Sequence, residues 1–178
     1  MPGRFIILSG PPGAGKTTLA VKLVERSPAP AAVHLHSDDF YDYIKKGFIL
    51  PWLPESQAQN ATVAKALAAA AIAYCDGGFD VIMDGVVGPW FIDTYVEAAA
   101  RAGVALHYVI LRADKAVSAA RARSRGIKPI ADYPPRIHEA FADLDAWEDH
   151  VVETSGIDAE EAYAAVRDGV ADQRFVII

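Results

Sequence analysis

Along the chain, short and dominantly apolar runs alternate with longer segments whose apolar positions recur at helical spacing. The runs are Phe5–Leu8, Val33–His36, Asp80–Asp84, Val104–Leu111 and, less apolar, His150–Glu153. Brief β-branched runs of this kind, bounded by turn residues, are how strands buried on both faces read. Helical patterns occupy Lys16–Arg26, Gln57–Asp76, Phe91–Ala102, Asp114–Arg125, Pro135–Asp149 and Asp158–Asp168. Ser27-Pro28, Gly77-Gly78 and Gly103 supply stops for the first three, and Asp114 stands where it can cap the fourth. Strands alternating with helices predict right-handed βαβ crossovers, and so an α/β fold of three layers with helices on both faces of a mostly parallel sheet. The apolar ending Phe175–Ile178 is expected to dock on this body as a short strand.

Length and charge narrow the picture. With 178 residues and 52% hydrophobic content, the chain fits one domain spanning 1–178, with a core of its own. A formal charge of −6 speaks against nucleic acid or an anionic membrane as partner. The apolar stretch Ala66–Tyr74 is far short of the ~20 residues that span a bilayer, and no secretory leader is visible, so a soluble cytoplasmic protein is expected. Cys75, the one cysteine, excludes an intrachain disulfide and reads as a small buried hydrophobe in an Ala-rich helix. Two stretches resist assignment: Lys45–Ser56, with Pro51 and Pro54, and Gly126–Pro135, with three prolines. Long irregular loops in a compact domain are usually functional or disordered, and both fall where a substrate would be gripped or covered.

The chemistry is concentrated first in Gly10-Pro11-Pro12-Gly13-Ala14-Gly15-Lys16-Thr17, a complete G-x-x-x-x-G-K-T loop between the first strand and the first helix. Its glycines let backbone N–H groups converge on a phosphate at the positive end of the helix. Lys16 is assigned to the β- and γ-phosphates and Thr17 to Mg²⁺, with Thr18 adjoining, so a nucleotide with Mg²⁺ is the expected ligand. At the end of the second strand stands Ser37-Asp38-Asp39-Phe40-Tyr41, where ligands of open α/β sheets sit. Asp38 is the candidate base for an acceptor hydroxyl, and Asp39 the candidate cap of a helix starting near Phe40. The third strand ends on Asp84-Gly85, an acid placed to hold Mg²⁺ directly or through water, or to bond the loop threonine.

Around these, Tyr41, Trp52, Gly85, Trp90 and Arg136 are candidate acceptor contacts. Tyr41, Tyr43, Phe48, Trp52 and Leu53 suit an uncharged, partly apolar hydroxyl compound. Arg121 and Arg125, four apart and on one helix face, are candidates to stabilise transferred phosphate from a lid; Arg123 points elsewhere. Histidines 34, 36, 107, 138 and 150 form no helical i, i+4 pair and accompany no cysteine cluster, so a structural zinc site is not expected. His36 lies beside the acid pair, within reach of substrate, and His34 shares its strand face.

With Gly10–Thr18, Asp38, Asp84, Arg121-x-x-x-Arg125 and Thr154-Ser155-Gly156 in place, the chain resembles the small P-loop kinases, among them gluconate kinase, shikimate kinase, chloramphenicol phosphotransferase and the nucleoside and nucleotide kinases, within the AAA-type ATP-binding class. That resemblance implies a five-stranded P-loop NTPase sheet of order 2-3-1-4-5, an acceptor-binding insert at about 40–76 and a small helical lid at about 121–138. It implies ATP with Mg²⁺ as donor, Asp38 as base, catalytic or donor roles for Lys16, Thr17, Arg121 and Arg125, and Ser155 near the adenine. No gluconate-type motif follows the acid, and the segment from Asp38 to Gly78 contains no arginine for a nucleotide's phosphate. The reading is transfer of a γ-phosphate to a hydroxyl, or phosphate, of a small molecule by a monomer or homodimer. The alternative is a nucleotide-binding switch or slow NTPase module acting through a protein partner.

Overall fold

The computed structural model describes residues 2–124 and 136–178, the side chains of 119, 122–124 and 136 excepted. Each predicted run becomes a strand: β1 (Phe5–Ser9), β2 (Ala32–His36), β3 (Asp80–Asp84), β4 (Leu106–Arg112) and β5 (Val151–Glu153). They pair in parallel in the order β2-β3-β1-β4-β5. The helices are α1 (Lys16–Glu25), α2 (Ser37–Asp42), α3 (Gln57–Asp76), α4 (Asp93–Ala102), α5 (Lys115–Ser124), α6 (Arg136–Glu139) and α7 (Ala159–Ala171).

Strand alternation sorts the sheet's side chains into two cores. Ile6, Leu8, Ile82, Val109 and Leu111 meet α1 and α7 through Leu19, Leu23, Tyr163 and Val166. Phe5, Ile7, Met83, Tyr108 and Ile110 meet α3 and α4 through Val63, Leu67, Tyr95 and Ala99. The α3 side is Ala-rich: Val63, Ala64, Leu67, Ala68, Ala71 and Cys75 form the buried stripe, and small side chains let this helix lie close to the sheet. Burial pushes the Cys75 thiol up to about 12, which leaves it an inert packing group. At α7, Asp158 accepts from the amides of Glu160 and Glu161 while Glu161 accepts from that of Asp158, a complete capping box.

Three expectations change. The helix after β2 starts at Ser37, not near Phe40; Asp38 and Asp39 both sit in its first turn, where carboxylates complement the helix dipole. Phe91 belongs to a 3-10 turn, Pro89–Phe91, that precedes α4. Pro135–Asp149 is not one helix: α6 ends at Glu139, and a 3-10 turn follows over Asp145–His150. The Arg112 guanidinium takes the carbonyl of Ala142 at 3.1 Å, and Asp145 lies at φ 47, so the backbone between cannot continue a helical ladder. The last residues do dock: Val176 bridges His107 in antiparallel sense, and Leu106 exchanges backbone hydrogen bonds with Ile177 and Ile178. Among the described residues no helix is long and apolar enough to cross a membrane.

Candidate functional site

Because every strand runs the same way, the carboxyl ends of β1, β2, β3, β4 and β5 open onto one edge, and each contributes to what is built there. After β1 the chain turns through Gly10 at φ 131, where a Cβ would lie 2.0 Å from the Leu111 carbonyl oxygen. Gly13, at φ 82, is pressed on α5, its Cβ position 2.6 Å from the Ser118 carbonyl oxygen. Only glycine meets both the positive φ and the close approach. The Lys16 Nζ donates to the carbonyls of Gly10 and Pro11 at 2.9 and 3.0 Å, folding the side chain across the loop. Burial lowers its pKa to about 8, against the pull of Asp84 and Asp38.

Thr17 Oγ1 donates to Asp84 Oδ2 at 2.6 Å, so the two expected metal-related residues meet. The other oxygen of the buried Asp84 lies 2.6 Å from His34 Nε2 and 2.9 Å from His36 Nδ1. The β2–β3 register sets His36 directly beside Asp84. Burial pushes the Asp84 carboxyl up, but His34, His36 and Thr17 outweigh it and hold the carboxyl well below the usual carboxylate range. The Asp84 hydrogen bond in turn raises the pKa of His36. Across the ring, His36 Nε2 stands 3.7 Å from Asp38 Oδ2. A continuous path, Thr17–Asp84–His36–Asp38, thus joins the phosphate loop to the start of α2.

Asp38 borders a cavity of about 210 Å³ between α2, α3 and the chain after β3. Ser37, Tyr41, Pro51, Trp52, Asn60, Val63, Leu67, Val86, Trp90, Phe91, Tyr95 and Ile137 are among its lining. Tyr41 donates to Asn60 Oδ1 at 3.2 Å, and the Asn60 amide donates to Pro51 O at 2.7 Å and Ser56 Oγ at 2.9 Å. That buried amide fastens the irregular 51–56 segment to α3. On the other side of the loop a cavity of about 140 Å³ is lined by Ala14, Gly15, Thr18, Arg121, Thr154 and Ile157, with others. Arg121 donates to Thr154 O at 2.7 Å, and Thr154 Oγ1 lies 3.1 Å from the carbonyls of both Ala14 and Arg112. The end of β5 therefore braces the phosphate loop.

The structure brings Lys16, Thr17, Asp84 and Asp38 to one place, and Tyr41, Trp52 and Trp90 to the cavity beside them. It does not bring Gly85 into the lining; a Cβ there would stand 2.0 Å from Ser37 Oγ, so this glycine lets α2 approach β3. Ser155 accepts from the Asp114 amide at 2.7 Å, and of this pair it is the neighbour Thr154 that lines the second cavity. Arg125 and the side chains of Arg123 and Arg136 lie outside the described residues, as does most of the expected lid. Sequence reasoning missed Asn60. Its signal was an amide, a poor helix former, standing on the apolar stripe of an Ala-rich helix. It also left His34 and His36 without a partner, although their alternate positions on β2 put both on one face.

The sheet order, the loop and the acid at the end of β3 define a P-loop fold of the kinase type. Residues 5–147 match the family described as an AAA domain, and the chain belongs to that family. No curated protein matches it in sequence. Among solved structures it is similar to the Mycobacterium tuberculosis APS kinase in complex with AMPPNP and APS, at 18% identity and TM-score 0.70 over 96% of this chain and 98% of that one. A gluconokinase from Sinorhizobium meliloti is similar at 19% identity and TM-score 0.66, covering 97% and 94%. The shikimate kinase from Acinetobacter baumannii, in complex with shikimate, follows at 19% and 0.60, covering 96% and 94%. Likeness at such identities is likeness of fold.

Proposed function

We propose that the chain transfers the γ-phosphoryl group of ATP to a hydroxyl, or phosphate, of a small molecule held in the cavity beside Asp38. The observation that carries this is the path Thr17–Asp84–His36–Asp38, which ties the donor loop to the single charged side chain lining that cavity among the described residues. Lys16 and the loop amides bind and orient the donor phosphates. Asp38, exposed at the cavity wall, orients the acceptor hydroxyl and takes its proton as the oxygen–phosphorus bond forms. Thr17 and Asp84 offer the oxygen donors a hard divalent ion prefers and fit Mg²⁺, which when bound supplies charge neutralisation on the phosphates. Arg121, now anchored on Thr154, is positioned at the donor side of the loop. The APS and shikimate bound in two similar structures support a small-molecule acceptor.

The test is ADP release from Mg-ATP against a panel of sugars, sugar acids, nucleosides, nucleoside monophosphates and aryl alcohols, with Lys16→Ala as blank. Acceptor-stimulated release absent from the blank is the expected result. Tight ATP binding with no stimulation across the panel overturns transfer in favour of a nucleotide-dependent switch.

A further inference from the structure

Resting on the transfer reading, the cavity beside Asp38 narrows the acceptor further. Ser37, Asp38 and Asn60 are its polar lining residues; every other one is aliphatic or aromatic, and no lysine or arginine is among the described ones. Asn60 has no amide hydrogen to spare, since both serve Pro51 and Ser56, and its oxygen accepts from Tyr41. An anionic group on an occupant would find no lysine or arginine among the described lining residues and would face the Asp38 carboxylate. Each of these disfavours binding. A flat apolar body meets the opposite situation, with Tyr41, Trp52, Trp90 and Phe91 offering ring faces and edges. At about 210 Å³ the space exceeds the ~150 Å³ of an engineered cavity that takes up benzene. A single ring with a short hydroxylated arm fits it.

We infer that the acceptor is an uncharged alcohol with an aromatic or similarly flat apolar body, its hydroxyl carried on a short arm to Asp38. Sugar acids, hydroxy acids and nucleoside monophosphates are disfavoured by the same lining. Trp90, 56% exposed at the rim, is the exposed ring of the lining, and its ring centroid lies 5.7 Å from that of the buried Phe141.

Calorimetric titration of the full chain, saturated with AMPPNP and Mg²⁺, tests this with three probes: phenylpropanediol, phenyllactate, which replaces one hydroxymethyl by a carboxylate, and glycerol, which lacks the ring. The diol is expected to bind at least about tenfold more tightly than phenyllactate, from the unpaired carboxylate beside Asp38, and glycerol not measurably. Trp90→Ala is expected to weaken the diol about fivefold while AMPPNP affinity holds, as loss of one aromatic contact implies. Phenyllactate binding as well as the diol, or no binding of the diol at its solubility limit, overturns the inference. The transfer reading is judged separately, by Lys16-dependent ADP release. A chain that phosphorylates sugar acids loses the acceptor class and keeps transfer, whereas one that binds the diol without turning over any alcohol loses transfer and keeps the site.

Discussion

The donor loop and the acceptor cavity adjoin each other and are made of different material. Around Gly10–Thr17 the groups that shape the site are main-chain: positive-φ glycines, carbonyls that take the Lys16 ammonium, and amides at the start of α1. Around the cavity they are side chains drawn from α2, the 51–56 segment, α3 and the Val86–Phe91 stretch. A backbone site needs particular residues at particular spacings, because few sequences permit those dihedrals and approaches. A side-chain site can be relined one residue at a time without disturbing the sheet. The first is therefore fixed to one ligand class and the second is where a member of such a fold can diverge.

Substitutions on each side should separate the two. The largest effect is expected from Lys16→Ala, which removes charge from the donor side: acceptor-stimulated ADP release should fall about 10³-fold or more with every acceptor. If one acceptor were spared, the donor side would not be common to all of them. Asp38→Asn should cost turnover about 10²–10³-fold. Nucleotide affinity, measured by calorimetry, should stay within about twofold, because Asp38 acts on Lys16 by charge alone and otherwise reaches the loop through His36 and Asp84. Parallel loss of nucleotide binding would show that the loop and the cavity act as one unit through His36.

Next in size is a stability effect on the α1–α7 side. His107 is buried with its Nδ1 unpartnered, and burial, with Arg4 adding to it, lowers its pKa to about 4. A histidine with its pKa lowered in the folded state contributes stability that is present above the unfolded value of about 6.5 and is lost as pH falls towards 4. Urea unfolding should register a decline on the order of 3 kcal/mol across that window, and His107→Leu should flatten it. The smallest effect is expected from Asn60→Ala: the acceptor KM should rise about tenfold as the 51–56 segment loosens, with the nucleotide KM unchanged. A change in both would mean that the cavity wall and the loop are one unit.

The same contrast explains what could be read from the residues. All five strands and the parallel order implied by resemblance were legible, because buried strands and the phosphate loop are local patterns; the bond from Thr17 to Asp84 was one of the alternatives the residues left open. Gln57–Asp76 was read to its ends, since an Ala-rich run stopped by Gly77-Gly78 leaves little choice. The chain after Pro135 was misread as helix because its interruption comes from Arg112, a residue far away in sequence that captures the Ala142 carbonyl. Asp39 was misplaced as a cap because the turn at the end of β2 is made immediately, with His36 as the cap residue. The cavity's aromatic character was visible, but its members were not: Val63, Leu67 and Tyr95 line it from elements whose packing no local pattern reveals.

Thr154 lends the phosphate loop a partner 140 residues further on, at the Ala14 carbonyl. During synthesis the loop sequence emerges 140 residues ahead of the residue that braces it. A nascent chain therefore carries the motif well before it carries the site. Nucleotide affinity should appear together with docking of β5, and unfolding that begins at β5 should release nucleotide before the central strands part.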